Sequence, residues 1–192
     1  IDRTRREHAT AAAKFWRRRS RSASVRRVSA VDLLLVRHGE AEDDAASDEE
    51  RALTGNGRRR MRKSARLLAE QIAGIDLVYT SPLVRAVQTA EILVGELGFD
   101  DPVRIAGELA GPTSFDRLVR YVAQSPAGTR AVALVGHEPI LGALVGHCLS
   151  RPPVGFARGE IFALTLDRAT SRFTFRWRID PDGPNRTDTL ER

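Results

Sequence analysis

A single cysteine, Cys148, stands in the 192 residues. One thiol closes no internal disulfide, and that scarcity fits a reducing compartment. Neither the cysteine nor the four histidines fall at metal-ligand spacing, so no metal or other cofactor is expected. No apolar run approaches the roughly 20 residues needed to cross a bilayer. The amino end also lacks the apolar segment of a secretory signal. The expected location is therefore the cytoplasm, with no membrane partner. Internal repeats are absent as well, which excludes solenoids and propellers. What remains is a chain long enough for one domain with a substantial core.

The charge is unevenly spread. Residues 1–30 hold ten of the 31 Lys+Arg and two of the 25 Asp+Glu, a balance of +8. The rest holds 21 basic and 23 acidic residues, a balance of −2. The pI near 10.5 thus belongs to an Arg- and Ser-rich arm, and a nucleic-acid partner for the domain is not expected. The arm reads as disordered or a frayed helix. Phe15 and Trp16 beside Arg17-Arg18-Arg19 suit a polyanion-binding arm. The preferred readings are plainer: a solvated tail, or an upstream extension from a misplaced start, since the chain begins with Ile.

The domain, residues 31–180, is organised around VDLLLVRHGEAE, Val31 to Glu42. Val31 to Val36 is apolar apart from Asp32, as suits a strand buried on both faces of a parallel sheet. It stops at Arg37-His38-Gly39, and the carboxyl ends of such strands are where open α/β sheets carry ligand chemistry. An acidic loop, Glu40 to Arg51, reads as solvated. Met61, Ala65, Leu68 and Ile72 then mark one apolar helix face. Ile75 to Tyr79 is a second short strand. Ser81 reads as an N-cap and Pro82 as the first helical residue of a helix ending at Gly98. Arg85 falls in its first turn, where a cation is disfavoured unless an anion also binds there.

Val103 to Ala106 reads as a short edge strand and Gly107 to Thr113 as a loop holding Glu108. Ser114 opens a helix with Phe115, Leu118, Val119 and Val122 on one face. Ala131 to Val135 is a third buried strand, ending at Gly136-His137-Glu138-Pro139, with a helix from Pro139 to about His147. Ile161 to Leu166 and Phe173 to Ile179 form an antiparallel hairpin. The polar tail, 181–192, is expected to be loose. The fold class is α/β, a three-layer α/β/α with a mostly parallel central sheet and an antiparallel C-terminal hairpin.

If the three buried strands are parallel neighbours, Arg37, His38, Arg85 and His137 meet in one crevice. Two arginines and two histidines without a metal motif describe a site for a dianionic phosphoryl group. Arg gives planar, multi-donor recognition of phosphate oxygens. Histidine can act as a nucleophile, and neighbouring arginines disfavour its imidazolium form.

Arg37-His38-Gly39, Leu53-Thr54 with Gly57, Ser81 to Ala90 (SPLVRAVQTA) and Gly136-His137-Glu138-Pro139 together resemble the histidine phosphatase (phosphoglycerate-mutase-like) superfamily. The stretch from Arg37 to Gly57 is especially similar to SixA-type phosphohistidine phosphatases. The resemblance implies that His38 is the nucleophile and that Arg37, Arg85 and His137 hold the phosphoryl oxygens. It also places a proton-donating glutamate near Glu108, for which a solvent-facing role stands equally open. Many members carry Asn where this chain has Asp44. An ionised Asp cannot donate to phosphate, so the change either removes a donor or suits a cationic or hydrogen-bond-donating leaving group.

The implied activity is hydrolysis of phosphohistidine on a protein, in signal transduction, through a phosphohistidine enzyme intermediate. Between Arg85 and His137 the sequence leaves room for one helix and a short strand but no large lid. A lidless site admits a side chain displayed on another protein, whereas a small sugar phosphate is usually enclosed. The alternatives are a small-molecule phosphomonoesterase of the same superfamily and a non-catalytic phosphate- or polyanion-binding module. Pure binding does not require a nucleophile.

Overall fold

The computed structural model describes residues 30–111, 114–183 and 185–190. The basic arm lies outside them. Six strands form one sheet in the order β3-β2-β4-β1-β5-β6. In chain order these are β1 Ala30–Arg37, β2 Leu77–Thr80, β3 Arg104–Ile105, β4 Ala131–Gly136, β5 Ile161–Asp167 and β6 Arg172–Ile179. The first four are mutually parallel; β5 runs antiparallel to β1, and β6 antiparallel to β5. The helices are α1 Gly55–Gln71, α2 Val84–Leu97, α3 Phe115–Ala123 and α4 Ile140–Leu149, with a 3₁₀ turn at Gly107–Leu109.

The sheet carries a core on each face, which is why β1 and β4 are near-continuous apolar runs. Leu33, Leu35, Val132 and Leu134 pack with Leu118 and Val122 of α3 and Leu141, Leu144 and Val145 of α4. Leu34, Val36, Ala133 and Val135 pack on the opposite face with Met61, Ala65 and Leu68 of α1 and Ala86, Ala90 and Leu93 of α2. The alternation of side chains along a strand sends neighbouring residues to opposite cores. The result is the α/β/α arrangement expected, mostly parallel with an antiparallel C-terminal pair. Cys148 is partly buried, and burial pushes its thiol up to about 12. Among the described residues no helix is long and apolar enough to cross a membrane.

Three local features position the site. Thr54 caps α1, its Oγ1 accepting from the Gly57 amide at 2.8 Å. A Cβ on Gly57 would lie 2.1 Å from the Glu40 carbonyl oxygen, so only glycine lets α1 approach the loop after β1. At the other end of the second unit, α2 stops at Gly98, which takes the left-handed conformation expected of it (φ 64°). The start of α2 differs from expectation. It begins at Val84 after Leu83, two residues later than Ser81-Pro82 suggests, although Ser81 Oγ accepts from the Leu83 amide at 3.3 Å.

The polar tail expected to be loose has fixed contacts where it is described. Arg178 and Thr187 form a two-residue bridge, the Pro181 carbonyl accepts from Lys63 Nζ at 2.7 Å, and Arg186 donates to Gln71 Oε1 at 2.9 Å.

Candidate active site

The parallel strands β1, β2 and β4 end side by side, and the side chains following them converge. His38 follows β1, Ser81 follows β2, His137 follows β4, and Arg85 lies in the first turn of α2. All four are buried. The two imidazole rings lie 4.9 Å apart, centroid to centroid, tilted by 52°. Backbone bonds hold the frame: the His38 amide donates to the Gly136 carbonyl, the His38 carbonyl accepts from the Gly159 amide, and the Ser81 amide donates to the Val135 carbonyl. Arg37 is partly buried, and its Nη1 donates to the Phe156 carbonyl at 2.6 Å.

His38 Nδ1 lies 2.6 Å from the carbonyl oxygen of Gly39. A carbonyl only accepts, so Nδ1 carries the proton and Nε2 keeps its lone pair. Burial, assisted by His137, Arg85 and Arg37, pulls the His38 pKa down to about 3, against an opposing contribution from the Gly39 hydrogen bond. Burial and Arg85 bring His137 down to about 4. Both rings are therefore neutral near pH 7, and the Nε2 lone pair of His38 is available for attack.

This neutrality links stability to pH. Unfolded histidine protonates near 6.5, whereas the folded rings do so only near 3 and 4. Between those values the unfolded state binds more protons, so stability present above pH 6.5 is lost as the pH falls. The expected slope is up to about 1.4 kcal/mol per pH unit for each histidine. Urea unfolding of wild type and His38→Ala between pH 7 and pH 5 checks this: wild type should lose more stability. An equal loss would contradict the burial of a neutral His38.

Arg85 is engaged by the acidic loop expected to be merely solvated. Its Nη2 donates to Asp48 Oδ2 at 2.9 Å and its Nη1 to the Asp48 carbonyl at 2.5 Å. Hydrogen bonds from Arg85 and Arg51 hold the Asp48 carboxyl below its usual range. The Glu49 carbonyl accepts from the Val84 amide at 3.0 Å, so the loop sits on the amino end of α2. The anion that the position of Arg85 calls for is supplied, in this state, by Asp48. Asp44, which the resemblance singles out, is exposed and does not line the adjoining cavity.

That cavity, about 540 Å³, is bordered by His137 and Arg85. Leu83, Phe115, Ile140 and Ala143 give it apolar walls; Arg85, His137, Asp48 and Glu138 supply its polar groups. Glu138 is half-buried, and burial raises its pKa. Its Oε1 accepts from the Phe156 amide at 3.2 Å, on the same residue whose carbonyl holds Arg37.

Glu108 is not brought to this site. It lines a separate cavity of about 420 Å³ with Tyr79, Arg104, Arg117 and Arg120. Tyr121 donates to its Oε2 at 3.1 Å and Arg117 lies 3.4 Å from its Oε1. Its own backbone amide, with Tyr121 and Arg117, lowers its pKa, whereas a proton donor near pH 7 needs a raised one. Both Tyr121 and Arg117 belong to α3, so the carboxylate is turned toward that helix.

The family model described as histidine phosphatase superfamily (branch 1) matches residues 33–110. Phosphohistidine phosphatase SixA of Escherichia coli (strain K12) is 33% identical over 153 residues, 79% of this chain and 94% of that protein. The chain belongs to the histidine phosphatase superfamily. A solved structure of the protein histidine phosphatase SixA complexed with tungstate superimposes with a TM-score of 0.74 at 31% identity, covering 79% of this chain and 97% of that one. An uncharacterised protein of Picosynechococcus sp. is 39% identical over 116 residues, 58% of this chain and 69% of that protein. As a member of this superfamily the chain is a phosphatase.

Proposed function

We propose that this phosphatase hydrolyses phosphohistidine displayed on a protein, through a phosphohistidine intermediate on His38, and that residues 31–180 carry the whole of that chemistry. The observation that carries the reading is the bond from His38 Nδ1 to the Gly39 carbonyl, which leaves Nε2 as a neutral, oriented nucleophile. Nε2 attacks phosphorus, a new P–N bond forms, and the P–N bond of the substrate breaks. The departing imidazole keeps the electron pair and takes a proton from solvent. Water then attacks phosphorus and gives up a proton to solvent, the His38 P–N bond breaks with its electron pair returning to Nε2, and inorganic phosphate leaves. Arg37, Arg85 and His137 act on the phosphoryl oxygens, where charge spreads in the transition state. Arg85 has five N–H donors, so its two bonds to Asp48 leave donors for phosphate.

The substrate class is supported by the cavity beside the site and by the similarity to SixA. Apolar walls from Leu83, Phe115, Ile140 and Ala143 accommodate a side chain and its neighbours on a protein surface. The carboxylates of Asp48 and Glu138 suit an imidazole that donates a hydrogen bond and disfavour a leaving group bearing a second negative charge. Tungstate, held by the SixA neighbour, is a tetrahedral oxyanion like phosphate.

A substrate panel tests the proposal. A phosphohistidine protein, free phosphohistidine and the phosphate ester of a hydroxy acid are compared by kcat/KM. The phosphohistidine protein should be preferred over the carboxylate-bearing ester by at least about 100-fold. Preference for the ester would favour the small-molecule phosphomonoesterase reading, and no turnover of any would favour a binding module.

A further inference from the structure

We infer that Ser81 is a positioning residue that sets the tautomer of His137, so that His137 presents an N–H from Nδ1 to the phosphoryl group. The inference rests on the reading that His137 acts on phosphoryl oxygens, and adds the group that fixes which nitrogen does so.

Ser81 Oγ lies 2.8 Å from His137 Nε2, with both residues buried. The same oxygen accepts from the Leu83 amide at 3.3 Å. His137 Nδ1 is buried and has no hydrogen-bond partner among the described residues. Two proton arrangements are possible, and they leave different numbers of buried groups unsatisfied. If His137 carries its proton on Nε2, it donates to Ser81; the serine hydrogen then has no acceptor, and Nδ1 is an acceptor with no donor. If Ser81 donates to Nε2, its hydrogen is used, its oxygen still accepts from Leu83, and only the Nδ1–H is left over. An unmade hydrogen bond in a buried site costs more than a made one returns, so the second arrangement prevails.

The remaining Nδ1–H is the group a phosphoryl oxygen would satisfy. The His137 ring stands 4.9 Å from the ring of His38, within reach of a phosphoryl group carried on Nε2 of the latter. The tautomer matters because the ring is neutral. An imidazolium would offer an N–H on both nitrogens, but His137 is brought down to about 4, chiefly by burial. A neutral ring has one N–H to place, and Ser81 places it. The main chain of Ser81 is itself held by the hydrogen bond from its amide to the Val135 carbonyl, so the position of the residue beside His137 follows from the pairing of β2 with β4.

The decisive measurement is a long-range ¹H–¹⁵N spectrum of the histidine side chains in the full chain at pH 7, with the His137 signals identified by their loss in His137→Gln. The inference predicts a protonated Nδ1 and an unprotonated Nε2. A protonated Nε2 overturns it, whatever the enzyme's substrate. Kinetics supply the second readout. Ser81→Ala should lower kcat on p-nitrophenyl phosphate by about 10- to 100-fold with KM little changed, and shift the His137 signals towards a mixture of tautomers. Ser81→Thr, which keeps the hydroxyl, should recover kcat to within a few-fold. Full activity in a Ser81→Ala protein whose His137 keeps its tautomer would also overturn the inference. Failure to trap phosphate on His38 would count against the catalytic reading and leave the tautomer result standing.

Discussion

Replacing His38 by alanine is expected to lower kcat by on the order of 10⁴-fold or more, with the fold retained. The size of the effect follows from the role. Arginines and His137 can stabilise a transition state, but without the Nε2 lone pair there is nothing to form the first bond to phosphorus. Retention of the fold follows from the ledger at the site. The ring is a buried polar group whose charge is suppressed by burial, so its removal leaves a small cavity but also relieves a desolvation cost. Steady-state turnover of p-nitrophenyl phosphate and a thermal unfolding curve, on wild type and variant, measure both parts. Appreciable activity in a well-folded His38→Ala protein would remove His38 from its proposed role.

The second large effect is expected at Arg85. Arg85→Ala should cost about 10²–10³ in kcat, roughly 2.7–4 kcal/mol of transition-state stabilisation. Arg85→Lys should recover only part of it, since an ammonium keeps the charge but not the planar fork. The contact with Asp48 makes the alanine variant worse than the loss of one donor. Without the guanidinium, the Asp48 carboxylate loses one of its two ion-pair partners, keeping only Arg51, at the rim of a pocket that must admit a dianion. The acidic loop that sits on the amino end of α2 would also lose one of its anchors. The measurement is kcat and KM separately. A rise in KM with kcat unchanged would mean that Arg85 binds ground and transition states equally.

Much of this architecture was legible in the sequence because its causes are local. Val31 to Val36 and Ala131 to Val135 are apolar without alternation, and strands of that kind belong between two layers of helices. Polar groups at their carboxyl ends then have one place to go, which is how Arg37, His38, Arg85 and His137 could be placed together. Gly98 ends α2 because a left-handed residue is needed there.

The errors lie where a distant partner overrides a local rule. Ser81 followed by proline has the chemistry of a helix start, but its hydroxyl also meets a histidine 56 positions away, and the regular helix begins only at Val84. Asp48 is one of several acids in a loop whose composition suggests solvation, and no periodicity marks it as the one that reaches Arg85. Glu108 is displaced for the converse reason: Tyr121 and Arg117, on the following helix, capture its carboxylate. Charged loops carry little local information about their partners, so their contacts appear only once the strands are assembled.

The most direct measurement is rapid-quench trapping of the enzyme during turnover of a ³²P-labelled substrate, followed by mapping of the label. The mechanism predicts acid-labile, base-stable phosphate on Nε2 of His38, absent from His38→Ala, appearing and decaying at rates that match turnover. Label on another residue, or its persistence in His38→Ala, would contradict it.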